Sequence, residues 1–172
     1  MDITFLGHSS FKIRGRGATL VTDPYDPTMV GLKYPSVSSD IVTVSHAHQD
    51  HNMLDKVTDV KKVVDGPGEY EIAGVSIIGI PTYHDDKKGE LRGKNTIYVI
   101  EMDGVRLLHL GDLGHKLSSE ALEEIGSIDI LMVPIGGEYT IGSSQAVGVV
   151  QDIEPKLVMP MHYQMQGLNA EV

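Results

Sequence analysis

The chain has 172 residues, 41% of them hydrophobic, a formal net charge of −10 and no cysteine. This length and composition are typical of one ordinary soluble domain that can bury a sizeable core, and we expect residues 1–172 to form a single domain. The missing cysteine excludes disulfides, a cysteine-ligated zinc site and a cysteine nucleophile.

The acidic balance and the hydropathy pattern limit the partners that we expect. A chain with this charge has no overall basic face, so we expect no nucleic acid to bind. No run of 18 apolar residues occurs, and the sequence begins directly with a strand-like segment. We therefore expect no membrane span and no secretory signal, and a cytoplasmic location.

The first half of the chain is predicted to consist of short strands separated by Gly and Pro. Residues 3–6 form the first predicted strand, and His8 follows it either as a turn residue or as a neighbour of a site. Residues 40–44 are β-branched and apolar, and they predict a buried strand that ends where a histidine-rich run begins.

That run is His46-Ala47-His48-Gln49-Asp50-His51. His46 and His48 would point the same way in extended backbone and could share one metal ion, while Asp50 and His51 could reach a second. Imidazole nitrogens and carboxylate oxygens are ligands of divalent transition metals. The run therefore predicts a metal site that holds two ions.

Three later predicted strands each lead to one further candidate ligand. They cover residues 75–80, 105–110 and 156–162, and the ligands are His84, Asp112 and His162. Residues 85–94 between two strands are charged and contain glycine, which is typical both of a mobile lid and of a plain exposed loop. In a lid, Lys87, Lys88, Arg92 and Lys94 could meet an anionic substrate.

Helices are predicted only late in the chain. Residues 117–125 have apolar side chains at helical spacing, with Ser118 and Ser119 as possible N-caps. Residues 143–153 show the same pattern, begin with Ser143 and Ser144, and end before Pro155. A strand at 128–133 lies between them. The pattern alone indicates a mixed α and β fold with helices outside the sheets.

The order of these residues resembles the metallo-β-lactamase superfamily of binuclear metallohydrolases. Five segments are similar to its subgroup of ascorbate-6-phosphate lactonase-like Zn-dependent hydrolases, and the resemblance runs from residue 2 to about residue 165. These segments are Gly7-His8-Ser9-Ser10-Phe11, Thr22-Asp23-Pro24, Gly66-Pro67-Gly68-Glu69-Tyr70, Gly111-Asp112-Leu113-Gly114-His115 and Pro160-Met161-His162-Tyr163. The resemblance implies an α/β fold, the four-layer αββα sandwich, with the metals at one edge.

The resemblance also implies the roles of individual residues. The first metal would be held by His46, His48 and His84, the second by Asp50, His51 and His162, with Asp112 bridging the two. The cofactor would be zinc, two ions per chain, with manganese or iron as alternatives. A hydroxide between the metals would be the nucleophile.

Four further residues are assigned supporting roles. Asp50 could also orient the nucleophile or take its proton, and His115 could act on the substrate or in proton transfer. Asp23 is the best candidate for a hydrogen bond to the metal-binding run, and His8 could lie beside it. His109 is more typical of a core residue.

Two departures from the family pattern concern the end of the chain. Relatives commonly have an aspartate where this chain has Gly142, and they usually add a helix or strand after the segment that contains His162. We therefore expect a domain shortened at the C-terminus, with either a more open site or a homo-oligomer in which a partner covers the exposed edge.

The expected function is a hydrolase acting on a small-molecule ester, lactone or phosphoester. A non-catalytic metal-binding or regulatory module stays open as an alternative. An RNA-processing nuclease and a di-iron oxidoreductase are less favoured, because the chain is acidic and carries no flavin-binding domain.

Overall fold

A computed structural model describes residues 1–169 of the chain. In chain order its elements are β1 (Asp2–Gly7), β2 (Ser10–Arg14), β3 (Thr19–Thr22), α1 (Pro27–Val30), β4 (Val37–Ser38), β5 (Ile41–Thr43), β6 (Val57–Thr58), β7 (Lys62–Val64), β8 (Gly68–Ile72), β9 (Val75–Tyr83), β10 (Lys94–Met102), β11 (Val105–His109), α2 (Ser119–Ile125), β12 (Ile130–Pro134), α3 (Ser143–Ile153) and β13 (Leu157–Met161).

Most strands form two sheets. The first has the order β1-β2-β3-β5-β7, antiparallel from β1 to β3 and parallel from β3 to β7. The second has the order β13-β12-β11-β10-β9-β8, parallel from β13 to β11 and antiparallel from β11 to β8. The short strands β4 and β6 pair separately.

The two sheets pack face to face, and the two faces of strand β10 contribute to two different hydrophobic clusters. Tyr98 and Ile100 face the first sheet and join the cluster that contains Ile13 of β2. Ile97 and Val99 alternate to the other face and pack against the cluster that includes residues of α2 and α3. Strands buried on both faces are mostly apolar, and β10 is both buried and apolar from Ile97 to Ile100.

The outer layers differ on the two sides of the sandwich. Helices α2 and α3 cover the second sheet through residues such as Ile125 and Val149. The first sheet is covered instead by the four-residue helix α1 and the β4–β6 pair, where Tyr25, Val30 and Val37 pack on Val42. The fold is therefore the αββα arrangement with a minimal helical layer on one side. Within residues 1–169, no helix is long and apolar enough to cross a lipid bilayer.

Candidate metal centre

Strand direction explains why distant residues meet at one edge. In the first sheet β1, β3 and β5 run the same way, so their carboxyl ends lie together. His8 follows β1, Asp23 follows β3 and the run 46–51 follows β5. These three segments therefore supply the first sheet's part of the site.

The second sheet supplies three residues by the same rule. Strands β9, β11 and β13 run in one direction, and His84, Asp112 and His162 come just after their carboxyl ends. Only glycine fits at position 111 in the turn between β11 and Asp112, because a Cβ there would lie 2.5 Å from Asn95 Oδ1. Asn95 Oδ1 instead accepts a hydrogen bond of 3.0 Å from the Asp112 backbone N–H.

The first group of candidate ligands consists of His46, His48 and His84. Their ligand atoms lie within 4.8 Å of one another, and the rings of His46 and His48 are 4.6 Å apart. The predicted extended backbone at this point was wrong, because the chain bends and His51 N donates to His48 O at 2.9 Å. The bend nevertheless leaves both rings facing His84.

The second group contains Asp50, His51 and His162, together with His8. Their ligand atoms also lie within 4.8 Å of one another. His8 Nε2 is 3.3 Å from Asp50 Oδ2, and the ring of His8 is 4.2 Å from that of His162. The sequence predicts His8 only as a neighbour of the site, whereas the structure places it among the atoms that could bind a metal.

Asp112 lies between the two groups. Its Oδ2 is 3.1 Å from Nε2 of His84 and 3.2 Å from Nε2 of both His51 and His162. The Nε2 atom of His46 is 3.8 Å away. One carboxylate oxygen therefore faces imidazole nitrogens of both groups, which is the position that a bridging ligand requires.

Asp23 orients the candidate ligands through hydrogen bonds to Ser45 and His51. Its carboxylate is fully buried and accepts hydrogen bonds from the Ser45 backbone N–H at 2.8 Å and from Ser45 Oγ at 2.6 Å. Asp23 Oδ2 is also 2.8 Å from His51 Nδ1, and Ser45 Oγ is 2.9 Å from His46 Nδ1. With their Nδ1 atoms engaged, both histidines present Nε2 to the site.

The electrostatics of the site favour a neutral His46 and an ionised Asp112, the forms in which both can bind a metal. Burial lowers the pKa of His46 to about 3, so its imidazole is neutral. Burial raises the pKa of Asp112, but the charges of His162 and His51 outweigh that effect and hold it well below its usual range. Burial alone would lower the pKa of His51, but the nearby carboxylates of Asp112, Asp23 and Asp50 raise it well above its usual value. Metal binding at His51 would therefore release a proton.

Unpaired buried atoms test whether a metal fits here. Buried polar groups normally have hydrogen-bond partners. Within residues 1–169, eight buried side-chain polar atoms lack one, and six of them belong to this cluster. The six are His8 Nδ1, His46 Nε2, His51 Nε2, His84 Nδ1, Asp112 Oδ1 and His162 Nδ1. Two of the six, His46 Nε2 and His51 Nε2, lie 3.8 and 3.2 Å from Asp112 Oδ2 and so face the space between the candidate ligands. These two nitrogens and the imidazole and carboxylate donor set fit divalent metal ions.

A pocket of about 420 Å³ opens above the cluster. Its floor includes His48, Asp50, His84, Asp112 and His162, and its rim is formed by Met29, Leu91, Arg92 and Tyr139. Sequence reasoning did not identify Met29, Leu91 or Tyr139, because nothing in their local pattern indicates which loop reaches the site.

The charged loop 85–94 is pinned by a buried carboxylate. Asp85 accepts hydrogen bonds from the backbone N–H groups of Lys87, Gly89, Leu91 and Arg92, at 2.7 to 3.1 Å. Burial raises the pKa of Asp85, but these donors outweigh burial and lower it to about 2. Asp85 is therefore ionised at neutral pH and accepts all four bonds, which place Arg92 at the pocket rim.

The structure does not bring His115 into this pocket. Its Nε2 accepts a hydrogen bond from the Tyr83 backbone N–H at 3.1 Å, and its Nδ1 lies 2.8 Å from Lys116 O. Its side chain lines a separate cavity of about 170 Å³.

His109 is fully buried and contacts Ser9 O at 2.8 Å, as the prediction of a core residue requires.

Comparison with known families gives a match over almost the whole chain. A family model described as the beta-lactamase superfamily domain matches residues 2–162. This range includes every candidate ligand and the elements that carry them.

Two archaeal relatives illustrate the similarity in sequence. A metal-dependent hydrolase of the UPF0173 group from Thermococcus onnurineus is 32% identical over 194 aligned positions, which cover 95% of this chain and 84% of the relative. One of the same group from Pyrococcus horikoshii is 30% identical over 191 positions, with the same coverage. Because 194 exceeds the 172 residues of this chain, the first relative has residues inside the aligned region without a counterpart here.

Solved structures agree with the sequence relatives. A chain from Thermotoga maritima, described as a Zn-dependent hydrolase of the metallo-beta-lactamase superfamily, superposes with a TM-score of 0.78 at 42% identity. The superposition covers 95% of this chain and 76% of that one. A metal-dependent hydrolase from Parabacteroides distasonis, at 22% identity and a TM-score of 0.75, shares the fold over 94% of this chain and 81% of its own.

Proposed function

We propose that this chain, which belongs to the metallo-β-lactamase superfamily and is a metal-dependent hydrolase, binds two metal ions and hydrolyses a small ester, lactone or phosphoester. The observation that carries the proposal is the position of Asp112, whose Oδ2 lies 3.1 to 3.2 Å from histidines of both ligand groups. A single carboxylate placed in this way supports two neighbouring ions rather than one.

The proposed ligands follow the two groups in the structure. One ion would be held by His46, His48 and His84, the other by Asp50, His51 and His162, with Asp112 shared and His8 beside the second ion. Zinc suits this mixture of imidazole and carboxylate, and manganese and iron are the alternatives. When bound, such ions lower the pKa of water toward neutrality and polarise the oxygen of the scissile bond.

The chain's own residues would position the reactants. Asp50 lines the pocket floor, and its carboxylate can accept a hydrogen bond from the attacking water and so orient it. His51 and His8 contact Asp50 Oδ2 at 3.5 and 3.3 Å, which keeps the carboxylate ionised and fixes its direction. His115 has no part in this proposal, because its side chain lies in the separate cavity.

The size of the pocket supports a small substrate. A volume of about 420 Å³ lies in the usual range for small-molecule sites. The formal charge of −10 counts against a polyanionic nucleic acid, whose binding depends on many cationic contacts.

The test is a substrate screen with defined metal content. Protein loaded with zinc, manganese or iron is assayed against an aryl ester, a lactone and a phosphodiester, before and after treatment with a chelator. We expect hydrolysis of at least one class, its loss on chelation, and its loss in Asp112→Ala. Asp86→Ala is the control, because the Asp86 carboxylate is exposed and outside the pocket. Equal rates in Asp112→Ala and the wild type would overturn the proposal.

A further inference from the structure

Arg92 differs from every other arginine of the chain in its surroundings. Arg14, Arg16 and Arg106 each contact a carboxylate, at 2.6, 3.4 and 3.1 Å respectively. Among residues 1–169, no carboxylate lies within ion-pair distance of Arg92. An arginine left without an anionic partner in so acidic a chain, at the rim of a metal pocket, is available to an anion from outside.

The guanidinium of Arg92 is nevertheless held in place. Its Nη2 donates to Glu138 O at 3.1 Å, and its central carbon lies 5.0 Å from the centre of the Tyr139 ring. Its backbone N–H donates to the buried Asp85 carboxylate at 2.7 Å. One of its five N–H donors is used by Glu138, so the rest of a fixed, planar fork can serve a ligand.

The other side chains of the rim are apolar and exposed. Met29, Leu91 and Tyr139 are 47%, 69% and 37% exposed, and all three line the same pocket as Arg92. They are three of the eight large apolar side chains that are exposed among the described residues. Apolar surface gathered around a concave site is typical of ligand binding.

We propose that this rim is a substrate subsite in which Arg92 binds a carboxylate or phosphate while Met29, Leu91 and Tyr139 contact an apolar portion. The substrate class is then an anionic, partly apolar ester or lactone whose scissile bond reaches the metal centre. This inference rests on the proposed function, since it places the anion beside the bond that the metal centre would cleave. It assigns to the rim the recognition of substrate and to the floor its hydrolysis.

The test measures binding without turnover. Hexanoate, hexyl phosphate and the neutral hexanamide are titrated calorimetrically into metal-loaded wild type, Arg92→Gln and Lys87→Gln. Both variants lose one positive charge from the same loop, but Lys87 is 60% exposed and lies outside the pocket lining. The metal content of each protein is measured alongside, because an anion can also bind the metals directly.

We expect Arg92→Gln to raise the dissociation constants of both anions about tenfold, because charge-assisted hydrogen bonds are lost. The dissociation constant of hexanamide should not change. A loss of affinity for hexyl phosphate alone would identify phosphate as the anion that Arg92 binds. A loss of affinity for both anions would show that Arg92 binds carboxylates as well. Lys87→Gln should change none of the three. Unchanged anion binding in Arg92→Gln, an equal loss in Lys87→Gln, or no measurable anion binding to the wild type would overturn the proposal. Failure of the hydrolysis screen would leave this result standing, because binding requires no turnover.

Discussion

Three residues of the candidate metal centre adopt left-handed backbone conformations that residues other than glycine rarely take. His8, Asp23 and His162 have φ values of +53°, +38° and +50°. Each such residue costs on the order of 1 to 3 kcal/mol and persists only where its surroundings fix it. His162 N donates to His8 O at 2.9 Å, so two of the three hold each other. The candidate ligands are thus oriented by the fold itself.

Asp23→Asn tests this orientation. The single oxygen of the amide can still accept the hydrogen bond from the Ser45 backbone N–H. The amide nitrogen that replaces Oδ2 cannot accept hydrogen bonds from Ser45 Oγ and His51 Nδ1. We expect metal affinity to fall 10- to 100-fold, the usual effect of losing a group that orients a histidine ligand. Competition with a chromophoric chelator measures the affinity. An unchanged dissociation constant would show that Asp23 does not orient the ligands.

His115→Ala separates a structural histidine from a catalytic one. We expect metal content and hydrolysis to stay at wild-type levels, because the side chain lies outside the metal pocket. The free energy of unfolding should fall by about 1 kcal/mol as the hydrogen bonds to Tyr83 N and Lys116 O are lost. Urea unfolding and the hydrolysis assay are the two measurements. A rate at least tenfold lower at full metal content would instead make His115 part of catalysis.

At the scale of elements, the strands and helices are largely predictable, whereas the loop that completes the pocket is not. The spacing of apolar residues predicts helix 143–153, and α3 has those bounds. Strand ends predict where His84, Asp112 and His162 meet, because strands of one direction share an edge. The position of Arg92 depends on four backbone N–H groups converging on Asp85. Such local capping of irregular backbone leaves no periodic signal.

Asp85→Ala should release the loop. We expect faster amide hydrogen exchange at Lys87, Gly89, Leu91 and Arg92, at least tenfold, because their common acceptor is removed. Asp86→Ala is the matched control, since its carboxylate is 70% exposed and accepts none of these bonds. Hydrogen exchange followed by mass spectrometry gives the comparison. Equal exchange in both variants would mean that Asp85 does not hold the loop.

Gly142→Asp addresses the start of α3. The helix has Gly142 as N-cap without a capping side chain, and only the Gln145 side chain accepts from the Gly142 N–H, at 3.0 Å. The backbone φ of −84° suits aspartate, and a Cβ would meet its nearest atom at 3.5 Å. We expect a gain of about 0.5 to 1 kcal/mol and a melting temperature higher by about 2 °C. Gly142→Ala adds the Cβ without the carboxylate and should give no gain. An equal effect of both variants would exclude capping as the cause.

At the scale of the whole molecule, the candidate metal centre lies at one edge, where the two sheets meet. The first sheet supplies His8 and the run 46–51, and the second supplies His84, Asp112 and His162. Ions bound there, as we propose, would stabilise the folded chain over the unfolded one. By mass action, free metal at 1,000 times its dissociation constant contributes about 4 kcal/mol.

Removal of metal should accordingly lower thermal stability. We expect a chelator to reduce the melting temperature of the wild type by several degrees, and to have little effect on Asp112→Ala, which lacks the shared ligand. Differential scanning calorimetry of both proteins with and without chelator makes the comparison. A melting temperature of the wild type that does not respond to chelator would contradict a metal link between the sheets.

The central claim, a centre for two metal ions, is tested most directly by elemental analysis of protein purified without chelator or added metal. We expect about two equivalents of zinc, manganese or iron per chain, and a clear loss of metal in Asp112→Ala. No metal in the wild type, with none taken up on reconstitution, would contradict the account.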